Sequence, residues 1–213
     1  MTDAVIKIVL AYLLGSVSGS LLLGQLRRVD IRTMGSGNAG GTNALRTQGI
    51  GFALGVVIID VGKGWLAAGW LAALEMPGIA PLFTDYRAGL ACGFAAVLGH
   101  CYPVFYGFRG GKGVATLLGV LIAVAIWCLP LFILTFLAAV VLTGFVGLGS
   151  ILATLSLLPS MALLGPDPVA NGYWVFAVAM AAFVVFTHRS NLLNMKHGEE
   201  QRFNQVMLRN WFK

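Results

Sequence analysis

Two short stretches of this chain carry residues equipped to bind an anion. The first is Gly35-Ser36-Gly37-Asn38-Ala39-Gly40-Gly41-Thr42-Asn43-Ala44-Leu45-Arg46. Its glycines let successive backbone N–H groups converge on one point, the nest geometry that holds phosphate oxygens. Arg46 adds a two-pronged, charge-assisted contact. The same residues are ordinary turn formers, so taken alone the stretch reads equally as a flexible connection. Gly35-x-Gly37-x-x-Gly40 also fits the dinucleotide fingerprint, a weak match without a preceding strand and a following helix.

The second stretch runs from Gly99-His100 through Pro103 to Gly107-Phe108-Arg109-Gly110-Gly111-Lys112-Gly113-Val114-Ala115-Thr116. A Walker A reading fails, because Tyr106 stands where the first glycine belongs and Gly113 where the magnesium-binding Ser or Thr belongs. What remains is Lys112 among Gly107, Gly110, Gly111 and Gly113 at a helix start, where N–H groups and dipole favour an anion. A bare membrane anchor has no need of flanking glycines. His100, at a helix end, fits a hydrogen-bonded structural histidine better than a base. Gly147-Leu148-Gly149-Ser150 reads as a third small-residue turn, although small residues also permit close helix packing. His188 and Asn191 are three apart and face one site if their helix continues, while a histidine there can also simply cap carbonyls.

Membrane helices must position these groups. Of the 213 residues, 58% are hydrophobic and 10% charged, which excludes an ordinary soluble domain. Apolar runs lie at about 4–23, 50–73, 88–106, 114–142, 148–164 and 172–187. They have helix length and lack strand alternation, so the expected fold is an all-α bundle with its backbone satisfied internally. The fourth run is too long for one span, and Pro130 divides it into 114–128 and 130–142, which makes seven. Residues 4–23 follow no basic leader and precede no cleavage site, so they read as the first span and not as a signal peptide.

With the N-terminus outside, eleven of the fourteen basic residues fall on the cytoplasmic side, from Arg27, Arg28, Arg32 and Arg46 to Arg209 and Lys213. A six-span chain would send Arg189 to Lys213 across the membrane. The stretches 35–46, 107–113 and 143–150 and the tail after Phe186 then share one face, and this common face favours a site at His188 over a cap. Met76-Pro77-Gly78 and Gly165-Pro166-Asp167-Pro168, on the other side, are turn chemistry. Asp60 and Lys63, three apart in the second span, are expected to pair internally, tying that helix to Asp30, Arg32 or a neighbouring helix. Phe203, Val206, Met207 and Trp211 against Arg202, Arg209 and Lys213 suggest an amphipathic surface helix over 199–213.

The net charge of +6 is dispersed between spans and offers no nucleic-acid groove. Cys92, Cys101 and Cys128 lack metal or disulfide spacing and read as small buried apolar residues. No metal ligand set, cofactor motif or nucleophile elbow is visible, and no His is followed five residues later by Asp. Clustered anion loops on one membrane face therefore suggest a phosphorylated substrate handled at the lipid interface. A transporter for a phosphorylated metabolite competes with that reading, but no internal two-fold repeat and no midplane polar site beyond Asp60 and Lys63 support it. A non-catalytic scaffold has no use for such loops.

Three blocks resemble the bacterial acyl-phosphate-dependent glycerol-3-phosphate acyltransferases across nearly the whole chain. They are Asp30-Ile31-Arg32 through Gly35-Ser36-Gly37-Asn38 to Thr42-Asn43-x-x-Arg46; Gly99-His100 through Pro103-x-Phe105 to Gly110-Gly111-Lys112-Gly113-Val114-Ala115-Thr116; and His188-Arg189-x-Asn191 through Gly198-x-Glu200. The resemblance implies a single multi-pass domain over 1–213 in the bacterial cytoplasmic (inner) membrane, with seven helices and a cytoplasmic C-terminus. It implies transfer of a fatty acyl group from acyl phosphate to the 1-hydroxyl of glycerol 3-phosphate by a monomer without cofactor or metal, with a soluble acyl-phosphate-producing enzyme as a functional partner. By motif position, Ser36, Gly37, Asn38, Gly40 and Thr42 would hold the donor phosphate, while Arg46, Lys112, His188 and Asn191 would bind glycerol 3-phosphate and carry catalysis. Asn43, Gly110, Gly111, Gly113 and Thr116 would support the loops. Ser150 matches a fourth block that is eroded here, with Gly147 where a serine is common.

Overall fold

The computed structural model describes residues 3–76, 79, 86–166, 171–204 and 207, and among these it contains helices and loops but no strand. Contacts divide the chain into two compact units, Met1–Ile126 and Trp127–Lys213.

The first unit begins with α1 (Asp3–Gly15) and α2 (Gly19–Arg27), where one span over 4–23 is expected; the two helices bend by 42° at Ser16-Val17-Ser18. The bend has a chemical partner. Breaking a helix in lipid frees backbone groups that must be satisfied from elsewhere. Here Lys63 donates to the carbonyl of Val17 at 2.9 Å, and Gly19 N–H donates to Asp60 Oδ1 at 3.1 Å. Asp60 and Lys63 do form the expected ion pair, at 2.9 Å, but its neighbours are this break and His100, whereas Asp30 and Arg32 pair with each other.

Beyond α2, a 3-10 turn (Ile31–Thr33) leads to α3 (Gly41–Gln48) and α4 (Ile50–Trp65), which continues without a gap into a π-helical stretch, Leu66–Leu71. Then come α5 (Tyr86–Cys101), a second 3-10 turn (Val104–Tyr106) and α6 (Val114–Val124). Close approach of backbones holds these helices together. Gly99 of α5 has no room for a side chain against the backbone of Tyr12 in α1 and of Ser16 just after it, and Gly119 of α6 none against the carbonyl of Val61 in α4. Such glycines let van der Waals packing replace the hydrophobic drive that lipid removes.

The division of the long fourth run falls earlier than Pro130. α6 ends at Val124, Ala125 leaves helical geometry (φ −152°, ψ 52°), and a 3-10 turn (Ile126–Cys128) intervenes. Pro130 lies in the first turn of α7 (Leu129–Thr143), where its missing N–H breaks no helical bond.

In the second unit α7 is followed by α8 (Val146–Leu155), α9 (Leu157–Leu164), α10 (Asn171–Thr187) and α11 (Arg189–His197). The expected turn at Gly147–Ser150 is instead the first part of α8; the turn proper is at Gly144, with φ +76°. Gly149 packs on Phe136 and Val140 of α7, and Gly147 on Asn191 of α11, so these small residues serve helix contact. The tail also differs from expectation. Residues 201–203 are not helical: Phe203 N–H donates to Gly144 O at 2.8 Å, Arg202 stacks over Phe145, and Met207 is buried against Gly144. This segment straps the α7–α8 turn. Val206, Arg209, Trp211 and Lys213 lie outside the described residues.

Among the described residues, four helical stretches are long and apolar enough to cross a membrane: Ile50–Leu71, Tyr86–Tyr106, Ile126–Thr143 and Val146–Leu164. The bent pairs α1–α2 and α10–α11 raise the number to six if each is one broken span, and α6 is a shorter apolar helix. The three cysteines are free thiols and buried, as their apolar surroundings predict.

Candidate active site

In the first loop the organising side chain is Asn43, 1% exposed at the start of α3. Its Oδ1 accepts from Ser36 N–H at 3.0 Å, while Nδ2 donates to the carbonyls of Ile31, Met34 and Asn38 at 2.9–3.0 Å. One amide thus closes the loop from inside. Gly35 and Gly37 supply the left-handed turns, with φ +56° and +71°, and at Gly35 a Cβ would fall on Asn43 Oδ1. Ser36 and Gly37 are exposed, Asn38 and Gly40 partly so. Thr42 stands in the first turn of α3 and Arg46 in its last. Gly40 caps α3 without a side-chain hydrogen bond, the arrangement that suits an anion at a helix start. Ser20 on α2 braces the loop by donating to Ala39 O at 3.0 Å.

The second loop folds back on the end of α5: Gly110 and Gly111 N–H donate to the carbonyls of Cys101 and His100, both at 3.1 Å. Gly113 (φ +90°) then starts α6 directly after Lys112, so the ammonium sits one residue before a helix N-terminus that has no side-chain cap. A Cβ on Gly111 would fall on His100 Nε2 and on Ala39 O, which shows that the two loops meet there. Arg32 fastens them. Its Nη1 donates to Tyr106 O (2.9 Å) and Arg109 O (3.2 Å), while its other nitrogens grip Asp30 at 2.8–3.1 Å. The hydrogen bonds from Arg32 hold the Asp30 carboxyl below its ordinary pKa, against a smaller upward push from burial. Thr116 is fully buried, and its backbone packs against Gly64 of α4.

In the second unit His188 occupies the junction between α10 and α11, which bend by 50°. It is 3% exposed, and its Nδ1 lies 2.9 Å from Val184 O. A carbonyl only accepts, so Nδ1 carries the proton and Nε2 keeps the lone pair. Asn191 Nδ2 donates to Glu200 Oε1 at 2.6 Å, which fixes the orientation of its amide. Ser150, 5% exposed, donates to Val146 O one turn back.

Each unit therefore gathers its own expected residues: loop 35–46 with Lys112 in the first, and His188 with Asn191 in the second. Ser20, Arg32 and Glu200 carry structural parts that residue-by-residue reading did not assign. Asp30-x-Arg32 held a signal for its pair in the adjacent opposite charges, and Glu200 stood in a resembling block without a role. Ser20, on an apolar helix, gave none.

Comparison with known proteins identifies the family of the chain. Residues 5–198 match the family model described as glycerol-3-phosphate acyltransferase. A glycerol-3-phosphate acyltransferase of Chlorobaculum parvum is 37% identical over 218 residues, covering 92% of this chain and 94% of that protein. The crystal structure of PlsY (YgiH), an integral membrane glycerol 3-phosphate acyltransferase, in its glycerol 3-phosphate form superimposes with TM-score 0.81 and 36% identity, covering 94% of this chain and 95% of that one. Its lysophosphatidic acid form gives TM-score 0.79 and 35% identity over the same shares.

Proposed function

The chain belongs to the glycerol-3-phosphate acyltransferase family, and from that premise we propose that it acylates the 1-hydroxyl of glycerol 3-phosphate with acyl phosphate as donor, releasing 1-acyl-glycerol 3-phosphate and inorganic phosphate. The reaction opens phospholipid synthesis at the cytoplasmic face of a bacterial inner membrane. The protein crosses that membrane seven times as a monomer, with its N-terminus outside. A soluble enzyme that makes acyl phosphate supplies the donor.

The observation that carries this reading is the meeting of two glycine loops at Gly111 and Ala39, with Lys112 beside the junction. One loop suits each phosphate. Ser36, Gly37, Asn38, Gly40 and Thr42 hold the donor phosphate through backbone N–H groups and hydroxyls. Arg46, Lys112, His188 and Asn191 bind glycerol 3-phosphate. Ser150, whose hydroxyl is bonded within its own helix, contributes to glycerol 3-phosphate binding only in a minor way.

Acyl phosphate is a mixed anhydride, so phosphate already leaves well and no acyl-enzyme is needed. Positioning and charge stabilisation suffice. The lone pair at His188 Nε2 accepts the glycerol hydroxyl and aligns it, and the proton passes to an oxygen of the donor's phosphate as the acyl carbon–oxygen bond forms. Lys112 and Arg46 balance the charge that collects on the phosphates.

Purified protein given only acyl phosphate and glycerol 3-phosphate, without coenzyme A, carrier protein or metal, is expected to form lysophosphatidate, and Lys112→Ala to abolish turnover without unfolding in detergent. No product from folded wild-type protein, or near-normal activity in the lysine variant, overturns the assignment.

A further inference from the structure

A buried polar cluster beneath the second glycine loop has no place in the scheme above. Asp60 and Lys63 of α4 and His100 of α5 are 1%, 3% and 2% exposed. Lys63 Nζ lies 2.9 Å from Asp60 Oδ1, 2.9 Å from His100 Nδ1 and 2.9 Å from Val17 O. An ammonium offers three donors and no acceptor, and these contacts use all three. His100 Nδ1 lies closer to this ammonium than to Asp60 Oδ1, which is 3.4 Å away, and is assigned as the acceptor, which places the ring proton on Nε2. That is the opposite tautomer from His188. Nε2 has no hydrogen-bond partner among the described residues, yet it is not among the enclosed atoms left unsatisfied, which are Asp60 Oδ2 and Thr116 Oγ1. So the N–H is reached from outside the cluster. It emerges beside Gly111 and Ala39 O, where the two loops meet.

A buried donor without a partner is costly, and the partner these loops are built to gather is a phosphoryl oxygen. We propose that His100 is a further phosphate ligand: the Asp60–Lys63 pair holds its imidazole so that Nε2–H donates to a phosphorylated substrate bound where the two glycine loops join. The inference rests on the acyl-transfer reading, and the same chemistry suits either the donor's or the acceptor's phosphate.

Asparagine and glutamine separate the two ring nitrogens. The amide of His100→Asn reaches the place of Nδ1 and keeps a partner for Lys63, whereas that of His100→Gln reaches the place of Nε2 and keeps a donor toward the loops. Losing one hydrogen bond to a charged group is expected to raise KM roughly tenfold or more in His100→Asn. The rise should fall on one of the two phosphorylated substrates, with a much smaller change in kcat and a lesser KM effect in His100→Gln. Wild-type KM in the asparagine variant, or equal rises for both substrates with a lowered melting temperature in both variants, overturns the proposal. Histidine-labelled wild-type protein titrated with inorganic phosphate supplies a second readout independent of any variant. The His100 Nε2–H resonance should shift, and its indifference overturns the proposal as well. Failure of the wild-type protein to turn over acyl phosphate would instead strike the reaction assignment, and leaves the phosphate titration able to decide on His100.

Discussion

Asn43 shows how much of the anion loop rests on one amide. Its four hydrogen bonds tie together backbone from Ile31 to Asn38 around the NH2 donor and the carbonyl acceptor of one planar amide. Asn43→Asp turns a carboxylate toward three carbonyls, while Asn43→Ala leaves groups for water to satisfy, so the acid is expected to be the more damaging. Each unsatisfied buried group costs about 1–3 kcal/mol. A higher KM for acyl phosphate in both variants and a lower melting temperature in the acid check this, and an acid variant better than alanine refutes it. His188→Asn keeps a donor for Val184 O and removes the Nε2 lone pair. If His188 only orients the acceptor, activity falls by less than the roughly 10²–10⁴ that general-base removal costs, and the acidic limb of the pH–rate profile survives. Loss of that limb makes His188 the base. At this scale the sequence singled out candidates by residue type, because glycines, a lysine and a boundary histidine announce themselves. It was silent about tautomers and braces: neither the bond from Ser20 to Ala39 O nor the contact of Lys63 with His100 has a local pattern.

Helices in this chain are positioned by what they lack. Where α6 crosses α4 at Gly119, a side chain would occupy the space of the Val61 carbonyl. Gly119→Val is therefore expected to cost about 1–3 kcal/mol or more by overpacking. Melting in detergent should drop by about 2–4 °C per kcal/mol, and an unchanged midpoint contradicts the close approach. Neither the glycine contacts nor the element boundaries were legible in the sequence. Pro130 marked a division but not its place, since proline is as content in a helix's first turn as beyond its end. The break at Ser16–Ser18 was hidden because the glycines flanking it, Gly15 and Gly19, suit close helix packing as well as a bend, and the groups that compensate it lie more than forty residues away on α4. Gly147–Ser150 misled through the same ambiguity: small residues mark turns and tight helix contacts alike.

For the whole molecule, composition alone decided that the protein lives in a bilayer, and the distribution of basic residues proposes which way round. That orientation is open to direct test, since all three native cysteines are buried. In sealed vesicles of known orientation, an impermeant maleimide should reach cysteines introduced at Ser36 and Ser190 from the cytoplasmic side and one at Glu75 from the other. Labelling of all three from one side would exclude the seven-span topology. Residues 200–204 give the architecture a direction in time as well. They hold Asn191 through Glu200 and latch onto Gly144 through Phe203, yet they follow α11 in the order of synthesis. Until that stretch has been made and has docked, the Asn191 amide lacks its contact with Glu200. The Asn191–Glu200 bond and the strap on Gly144 are therefore among the latest contacts this fold can make as the chain is synthesised.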